Sequence, residues 1–249
     1  MLTLPYELDT QRAPQIGLIV LQADETIERD MQRLLPGSVE LLVSRVPSGT
    51  HVTPDSLAAM ESELQHAASL LPISAQLSAV GYGCTSGTAQ IGTDLVAGAI
   101  KAGTQTPHVT EPVSAAIAAC RHLGVGRLGL LSPYIESVSD KLCEALSSAN
   151  IEVCAFASFN ESEERRVARI TPASIRSAAA KLSASAEIDA LFISCTNLRT
   201  LDVIAAIEAD AGVPVLTSNQ VLAWDLLRLA KIEVQATSAG DLWKRSDTN

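Results

Sequence analysis

Short apolar runs alternate along this chain with longer stretches in which apolar residues recur at helical spacing. The runs occupy residues 15–21, 39–46, 77–82, 107–110, 128–131, 151–156, 188–194 and 213–217. The intervening stretches predict helices at residues 24–35, 53–70, 89–102, 113–123, 136–149, 172–186, 201–211 and 219–229. Apolar runs of this length between turn residues are typical of buried parallel strands. Strands that alternate with helices predict an α/β fold with parallel sheets.

Two of the predicted strands end in nearly the same sequence. One ends at Cys84-Thr85-Ser86 and the other at Cys195-Thr196-Asn197. The strands at 16–19 and 128–131 repeat at nearly the same offset along the chain, with the same order of elements between them and the cysteines. This repetition predicts two similar α/β lobes that face each other across a cleft, with one cysteine on each wall.

The lobes can be assigned to segments of the chain. Residues 15–111 together with residues 217–240 form the predicted first lobe, which carries Cys84. Residues 112–216 form the predicted second lobe, which carries Cys195.

Both cysteines stand at the carboxyl end of a predicted strand, where open α/β sheets place their ligands. A cysteine at the start of a helix has its pKa lowered from about 8.5 toward about 3.5–7.5. We therefore interpret Cys84 and Cys195 as reactive thiols, with the hydroxyls of Thr85, Ser86 and Thr196 suited to hold a carboxylate. The thiols can act as a proton donor and a proton acceptor, or one can add covalently while the other moves a proton. The alternative is that each is only a small buried apolar residue.

Other polar residues are weaker candidates. Tyr134 follows a predicted strand and can donate its phenol hydrogen to a substrate carboxylate. Asn160 can contribute an amide, or it can simply form a loop within the predicted loop 158–171. The run Glu161–Arg169 is interpreted as a solvated charged face, and the residues past Gly240 as a frayed end.

Composition and charge exclude several classes of function. The formal net charge of −10 argues against a nucleic-acid partner. No apolar run approaches the roughly 18 residues of a membrane helix, and the start MLTLPYELDTQRAP lacks the features of a signal peptide. The odd count of five cysteines predicts free thiols and a cytoplasmic location. The four histidines are scattered, so we expect no metal site. The G-x-G-x-x-G match at 124–129 follows a helix rather than a strand, so it does not indicate nucleotide binding.

The chain resembles a known superfamily at these motifs. Gly83-Cys84-Thr85-Ser86, Ser194-Cys195-Thr196, Ser132-Pro133-Tyr134-Ile135 and Gly212-Val213-Pro214-Val215 are similar to segments of the aspartate/glutamate racemase superfamily. The similarity runs over most of the chain. It is greatest to the branch of maleate cis-trans isomerases and arylmalonate decarboxylases, which includes isomerase-like proteins associated with ectoine utilisation.

The resemblance implies two flavodoxin-like lobes related by pseudo-twofold symmetry, with the site between them and no metal or organic cofactor. It implies that Cys84 is the nucleophile and Cys195 the acid/base. Thr85, Ser86 and Tyr134 match positions that hold a substrate carboxylate, and Asn160 matches an amide of the isomerases.

The chain also departs from the isomerase pattern. Isomerases carry an Asn soon after the first strand, whereas this chain has Gln22-Ala23-Asp24-Glu25. Decarboxylases of this branch have Gly at the position of Cys84.

Together these features predict a cofactor-independent isomerase or racemase that acts on a small carboxylate through the two cysteines. One alternative is an arylmalonate-type decarboxylase in which Cys195 is the proton donor. Another is a small-molecule binding module without catalysis. The Ala-rich helices leave room for a homo-oligomer, and no membrane association is expected.

Overall fold

The structure is a computed structural model that describes residues 1–233 and 239–244. Its strands are β1 (Gln15–Leu21), β2 (Glu40–Val46), β3 (Leu77–Gly83), β4 (Val109–Thr110), β5 (Arg127–Tyr134), β6 (Glu152–Glu161), β7 (Ala190–Ile193) and β8 (Val215–Thr217). Its helices are α1 (Ile27–Leu34), α2 (Pro54–Ala59), α3 (Glu61–Ser69), α4 (Thr85–Ile91), α5 (Thr93–Gly103), α6 (Pro112–Leu123), α7 (Glu136–Ser148), α8 (Glu164–Val167), α9 (Pro172–Ser183), α10 (Ile204–Ala211), α11 (Ser218–Leu229) and α12 (Asp241–Lys244).

The strands form two parallel sheets of the same topology. The first has the order β2-β1-β3-β4 and the second the order β6-β5-β7-β8. Every pairing between named strands is parallel. The shared order matches the first four strands of a flavodoxin-like sheet. The predicted fold class, two parallel-sheet lobes that repeat one plan, is confirmed.

Each of the two hydrophobic cores contains side chains from both sheets. Ile16 and Leu18 of β1 belong to one core, and that core also contains Leu128 and Leu130 of β5. On the opposite face of β1, Ile19 packs into a second core that includes side chains of both cysteine strands. This alternation follows from the two-residue period of a strand. The two lobes therefore stabilise each other, because neither core belongs to one sheet alone.

Two predicted helices are interrupted. The predicted helix at 53–70 is two helices, α2 and α3, that meet at Met60. The predicted helix at 89–102 begins earlier, at Thr85, and breaks at Gly92, whose φ of 102° a right-handed helix cannot contain. The break lets α4 begin directly at Cys84, so the Cys-Thr-Ser turn is the first turn of a helix.

The segment predicted as a loop at 158–171 is partly ordered structure. Strand β6 continues to Glu161, and α8 follows. The intervening residues pair with the loop before α2: Val52 donates its N–H to the Ser162 carbonyl at 2.8 Å, and Glu164 donates its N–H to the Thr50 carbonyl at 3.1 Å. This short antiparallel contact joins the two halves of the molecule beside the site.

The chain end also differs from expectation. Residues 241–244 form the short helix α12, and its Leu242 and Trp243 are buried in the core, so this part is not frayed. The prediction for residues 245–249 lies outside the described residues.

The predicted lobe boundaries stay a prediction, and part of the segment 217–240 lies outside the described residues. Strand β4 pairs with β3, and β8 pairs with β7. Helix α11 packs against the first sheet. Its Leu222 and Leu226 fill the space above Gly81 of β3.

Within residues 1–233 and 239–244, none of the helices has the length and apolar character needed to cross a membrane.

Candidate active site

The two Cys-Thr turns line one pocket between the sheets. Its walls also include the loop after β1, the end of β5 and the start of α8. The lining residues are Leu21, Asp24, Leu57, Cys84, Thr85, Ser86, Tyr134, Glu164, Cys195, Thr196 and Asn197. Four of these are apolar side chains or thiols, and the other seven carry hydroxyl, amide or carboxyl groups. The repeat in the sequence has therefore brought both candidate thiols to a common space.

Cys84 is the N-cap of α4. Its backbone is extended, with φ −150° and ψ 111°, and its Sγ accepts a hydrogen bond from the Gly87 N–H at 3.1 Å. Gly87 is needed here, because a Cβ at this position would lie 2.8 Å from that Sγ. The thiol is therefore held at the first turn of the helix, as the sequence predicts.

Cys195 adopts a different backbone. Its φ is 106°, a conformation that side chains with a Cβ rarely adopt. Its Sγ lies 3.1 Å from the Tyr134 hydroxyl and accepts the Asn197 N–H at 3.3 Å. No helix begins directly after it, since α10 starts only at Ile204. Strain of this kind is held in place by surrounding contacts and is common at functional sites.

Hydrogen bonds connect the two turns to each other. The Ser218 hydroxyl accepts the Cys195 N–H at 2.9 Å and lies 2.8 Å from the Thr85 hydroxyl. The Thr196 hydroxyl donates to the Gly83 carbonyl at 3.2 Å. Ser218 was not predicted as a site residue. Its position at the start of α11, directly after β8, is the signal that could have identified it.

The hydroxyl group of a tyrosine connects Cys195 to a buried carboxyl group. The Tyr134 hydroxyl donates to Glu164 Oε1 at 2.8 Å, and the Asn197 side-chain amide donates to Glu164 Oε2 at 2.8 Å. Because the single hydroxyl hydrogen of Tyr134 goes to Glu164, the thiol hydrogen of Cys195 is the one shared with the Tyr134 oxygen. The structure thus contains a hydrogen-bonded chain from thiol to phenol to carboxyl.

A second buried carboxyl group comes from the loop after β1. Asp24 is only 6% exposed, and its Oδ1 accepts the backbone N–H groups of Thr26 and Ile27, each at 2.8 Å. Its Oδ2 is buried and has no hydrogen-bond partner among the described residues. Burial raises the pKa of Asp24 and of Glu164, while their hydrogen bonds act in the opposite direction.

The pKa values of both thiols differ from the sequence-based expectation. Burial raises the pKa of Cys84 to about 12 and that of Cys195 well above its usual range. The Gly87 N–H and the Tyr82 hydroxyl lower the pKa of Cys84, and Tyr134 and Asn197 lower that of Cys195, but burial outweighs them. The predicted lowering was wrong for this closed state, because a helix terminus cannot compensate for the loss of water around a thiolate. Both side chains are protonated here.

The remaining predicted site residues divide into two groups. Thr85, Ser86, Tyr134 and Thr196 all line the pocket. Asn160 does not: it is exposed on β6 with a φ of 53°, and its N–H bonds to the Ser158 hydroxyl. The amide that reaches the pocket belongs instead to Asn197.

The charged run Glu161–Arg169 was interpreted as a solvated face, but Glu164, Val167 and Ala168 are buried, and Glu164 is the charged residue among them. Glu164 is 5% exposed and lines the pocket, because the contact with Thr50 turns the start of α8 inward. No local sequence signal distinguishes Glu164 from its charged neighbours. Asp24, in contrast, lies in the loop at the carboxyl end of β1, and the general rule for strand ends could have identified it.

The pocket is nearly closed. Its volume is about 10 Å³, which is room for one water-sized group. A larger outer cavity of about 440 Å³ lies beside it, with Glu164, Ala23, Glu25 and His51 among its walls. Glu164 borders both spaces. A small carboxylate can therefore enter the inner pocket only when the walls separate.

All five cysteines are free. Within the two described ranges, no three Cys, His, Asp or Glu side chains are grouped as a metal site.

The fold and pocket define a two-lobed α/β protein with a thiol contributed by each half. Comparison with known proteins gives the family. The family model "Arylmalonate decarboxylase" matches residues 16–243, and the chain belongs to this family.

Two curated relatives cover nearly the whole chain. The chain is 29% identical over 220 residues to the arylmalonate decarboxylase of Bordetella bronchiseptica, covering 87% of this chain and 90% of that protein. It is 27% identical over 242 residues to the maleate isomerase of Nocardia farcinica, covering 93% and 96%.

Solved structures of both kinds of protein share the fold. The Nocardia farcinica maleate cis-trans isomerase, as a cysteine-to-serine mutant with a covalently bound succinylcysteine intermediate, superposes with a TM-score of 0.84 at 22% identity and covers 94% of this chain and 99% of that chain. An arylmalonate decarboxylase mutant, in which a glycine is changed to cysteine and a cysteine to serine, superposes in its liganded form with a TM-score of 0.82 at 27% identity, covering 92% and 98%.

Proposed function

We propose that this protein is an isomerase or racemase of a small carboxylate that needs no cofactor and uses Cys84 and Cys195 together. The observation that carries the proposal is the placement of both thiols on the wall of one small, nearly closed pocket. The relatives support it, since they include maleate isomerases, one of them with a succinylcysteine intermediate in its structure.

The two thiols have different roles in this proposal. Cys84 forms a bond from sulfur to one carbon of the substrate double bond, while a proton moves from Cys195 to the adjacent carbon. The resulting single bond rotates. The proton then returns to Cys195 as the carbon–sulfur bond breaks, so no atom or electron is gained or lost. Because burial raises the pKa of Cys84 to about 12, this thiol must release its proton to solvent water before the pocket closes, and it then adds to the substrate as a thiolate. In a racemisation the same two groups exchange a proton on opposite faces of one carbon.

Tyr134 and Glu164 complete the acid/base side. Cys195 can pass its proton to the Tyr134 oxygen while Tyr134 passes its own to Glu164, along contacts of 3.1 and 2.8 Å. No corresponding carboxyl group bonds to the Cys84 sulfur among the described contacts. This asymmetry favours Cys195 as the acid/base. The hydroxyls of Thr85, Ser86 and Thr196 stand around the thiols and are proposed to hold the substrate carboxylate.

Decarboxylation is the second candidate. The match to the arylmalonate decarboxylase family and the protonated state of Cys195 favour it, because that reaction needs only one proton donor. Under this alternative Cys84 would have no chemical role.

Binding without catalysis is the third. The raised thiol pKa values favour it, since a binding module needs no thiolate.

Proton NMR in D2O separates these candidates. The purified protein is incubated with maleate, aspartate, glutamate and an arylmalonate. We expect geometric isomerisation, or deuterium entry at a stereocentre, for one of the first three. Cys84→Ser and Cys195→Ser each abolish this turnover, whereas Cys143→Ser, which changes a half-buried cysteine outside the pocket, retains it.

Other outcomes contradict the proposal. Full activity in Cys84→Ser overturns the two-thiol mechanism. Loss of CO2 from the arylmalonate alone establishes the decarboxylase. Tight binding of a carboxylate without any chemical change supports the binding module.

A further inference from the structure

The pocket contains two carboxyl groups and no basic side chain among its described lining residues. Glu164 accepts hydrogen bonds on both oxygens, from Tyr134 and from Asn197. Asp24 accepts two backbone N–H groups on Oδ1. Both groups are therefore arranged as acceptors, which is the arrangement that ionised carboxylates require.

One acceptor remains unused. Asp24 Oδ2 is buried and has no hydrogen-bond partner among the described residues. The adjacent Thr196 hydroxyl lowers the pKa of Asp24, but its hydrogen bond goes to the Gly83 carbonyl, at 3.2 Å. A buried carboxylate oxygen without a hydrogen-bond donor costs free energy. A ligand can supply the donor that Asp24 Oδ2 lacks.

Neighbouring cations do not fill this place. Arg45 lies on the outer side of the loop, where its Nη1 bonds to the Leu21 carbonyl at 2.9 Å and its Nη2 to Glu28 at 2.8 Å. It approaches the Asp24 backbone carbonyl at 3.3 Å rather than the unpaired side-chain oxygen. Its charge reaches Asp24 only as a long-range effect.

This arrangement disfavours a substrate with two carboxylates and no cationic group. The hydroxyls near Cys84 can hold one anionic group, but a second would approach Asp24 and Glu164 in a site of low dielectric constant, where like charges repel strongly. A protonated amine has the opposite charge and three hydrogen-bond donors.

We propose that the pocket selects a small carboxylate that also bears a protonated amine, and that Asp24 Oδ2 is the acceptor for this ammonium group. The inference rests on the proposed function in placing the substrate between the two thiols. Asp24 is then a specificity-determining residue, and Glu164 adds to the negative potential of the pocket.

The test compares two ligands of matched size by isothermal titration calorimetry. β-Alanine and succinate differ only in that an ammonium group replaces one carboxylate. We expect the unmodified protein to bind β-alanine about tenfold or more tightly than succinate, which is the effect of one charge-assisted hydrogen bond. Equal affinity, or tighter binding of succinate, overturns the proposal. The latter result would mean that Asp24 is a neutral acid that donates to a carboxylate.

A matched pair of variants locates the effect. Asp24→Asn keeps the shape and the Oδ1 acceptor but removes the charge, so we expect it to abolish or reverse the preference for β-alanine. Glu25→Gln removes the same charge one residue away, on an exposed side chain outside the inner pocket, and should leave the preference unchanged. An equal loss in both variants would show a general charge effect and contradict the role of Asp24.

The binding result is independent of turnover. A preference for β-alanine in a protein that converts no substrate would preserve this inference while the proposed function fails. Isomerisation of maleate without any preference for an ammonium group would preserve the function and overturn the inference.

Discussion

The two Cys-Thr turns are alike in sequence and unlike in structure. Cys84 has an extended backbone and caps α4, with its sulfur bonded to a backbone N–H of the same turn. Cys195 has a φ of 106°, precedes an irregular segment, and contacts a tyrosine from another strand. Each thiol also interacts with a tyrosine hydroxyl, Tyr82 for Cys84 and Tyr134 for Cys195. Among the described contacts, only Tyr134 bonds onward to a carboxyl group, that of Glu164.

This difference separates the roles of the two halves. Contacts to Cys195 connect it to Glu164 through Tyr134, which gives its proton a destination. Contacts to Cys84 fix the position of its sulfur, and none of those described connects it to a carboxyl group. The repeat therefore predicts where the thiols are, and the contacts that are not repeated predict what each thiol does. The following experiments test this asymmetry.

The largest expected effect follows removal of the tyrosine hydroxyl next to Cys195. Tyr134→Phe breaks the connection from Cys195 to Glu164, so we expect kcat to fall by about 10²–10⁴-fold, the usual contribution of acid/base catalysis. KM should change much less, because the variant slows proton transfer and leaves in place the hydroxyls that are proposed to hold the substrate. Steady-state kinetics on the substrate found by NMR measures both quantities.

Tyr82→Phe is the matched variant on the other side. The Tyr82 hydroxyl is buried near Cys84, and its bond to the Met60 sulfur is long, at 3.7 Å. We expect a loss of less than about tenfold, the size of a weak hydrogen bond. Similar losses of kcat in the two variants would show that the turns are functionally equivalent.

The next effect concerns stability. Asn219 bonds to the Thr196 carbonyl next to Cys195 and also to Asp30, whose pKa is raised by burial from 3.8 to about 6. Below about pH 4 this carboxyl is neutral in the folded and unfolded chain. As the pH rises, the unfolded chain releases the proton first, so folding stability falls until about pH 6, by about 3 kcal/mol.

Asp30→Asn removes this penalty. We expect the variant to be more stable than the unmodified protein by up to about 3 kcal/mol near neutral pH, and equally stable near pH 4. Urea unfolding at the two pH values measures the difference. A variant that is less stable at neutral pH would show that the charge of Asp30, through Asn219, holds the Cys195 turn in place.

The smallest expected effect isolates the backbone of Cys195. Glycine adopts a positive φ without strain, whereas alanine retains a Cβ and its cost of about 1–3 kcal/mol. We therefore expect Cys195→Gly to be more stable than Cys195→Ala by about 1–2 kcal/mol, as measured by thermal unfolding. If alanine were equally stable, the turn would relax without a Cβ penalty, and the proposed strain would be absent.

Much of the fold could be predicted from the sequence because parallel strands leave a strong signal. Both faces of β1 and β7 are buried, so each strand is an uninterrupted apolar run. Element boundaries were less predictable. The break at Gly92 depends on one residue with a positive φ, and the burial of Trp243 depends on packing partners far away in the chain.

The candidate site was predictable where it follows strand ends and unpredictable where it depends on tertiary contacts. Cys84 and Cys195 follow the repeat, and Tyr134 is the last residue of β5. Glu164 belongs to a polar run and enters the pocket only because its backbone pairs with Thr50. The thiol pKa values were mispredicted for a related reason, since burial depends on the closed arrangement of both lobes.

Glu164 stands between two spaces of very different size, the inner pocket and the outer cavity that opens beside it. The walls exclude a molecule larger than water, but a proton can cross by exchanging partners along Cys195, Tyr134 and Glu164. The closed pocket thus admits a proton but no molecule larger than water. Under the proposed function, this relay sets the rate at which a bound substrate exchanges hydrogen with the solvent, whereas the separation of the walls sets the rate at which substrate and product exchange. These two rates are independent, so under the proposed function a bound substrate can exchange hydrogen with the solvent many times before it is released.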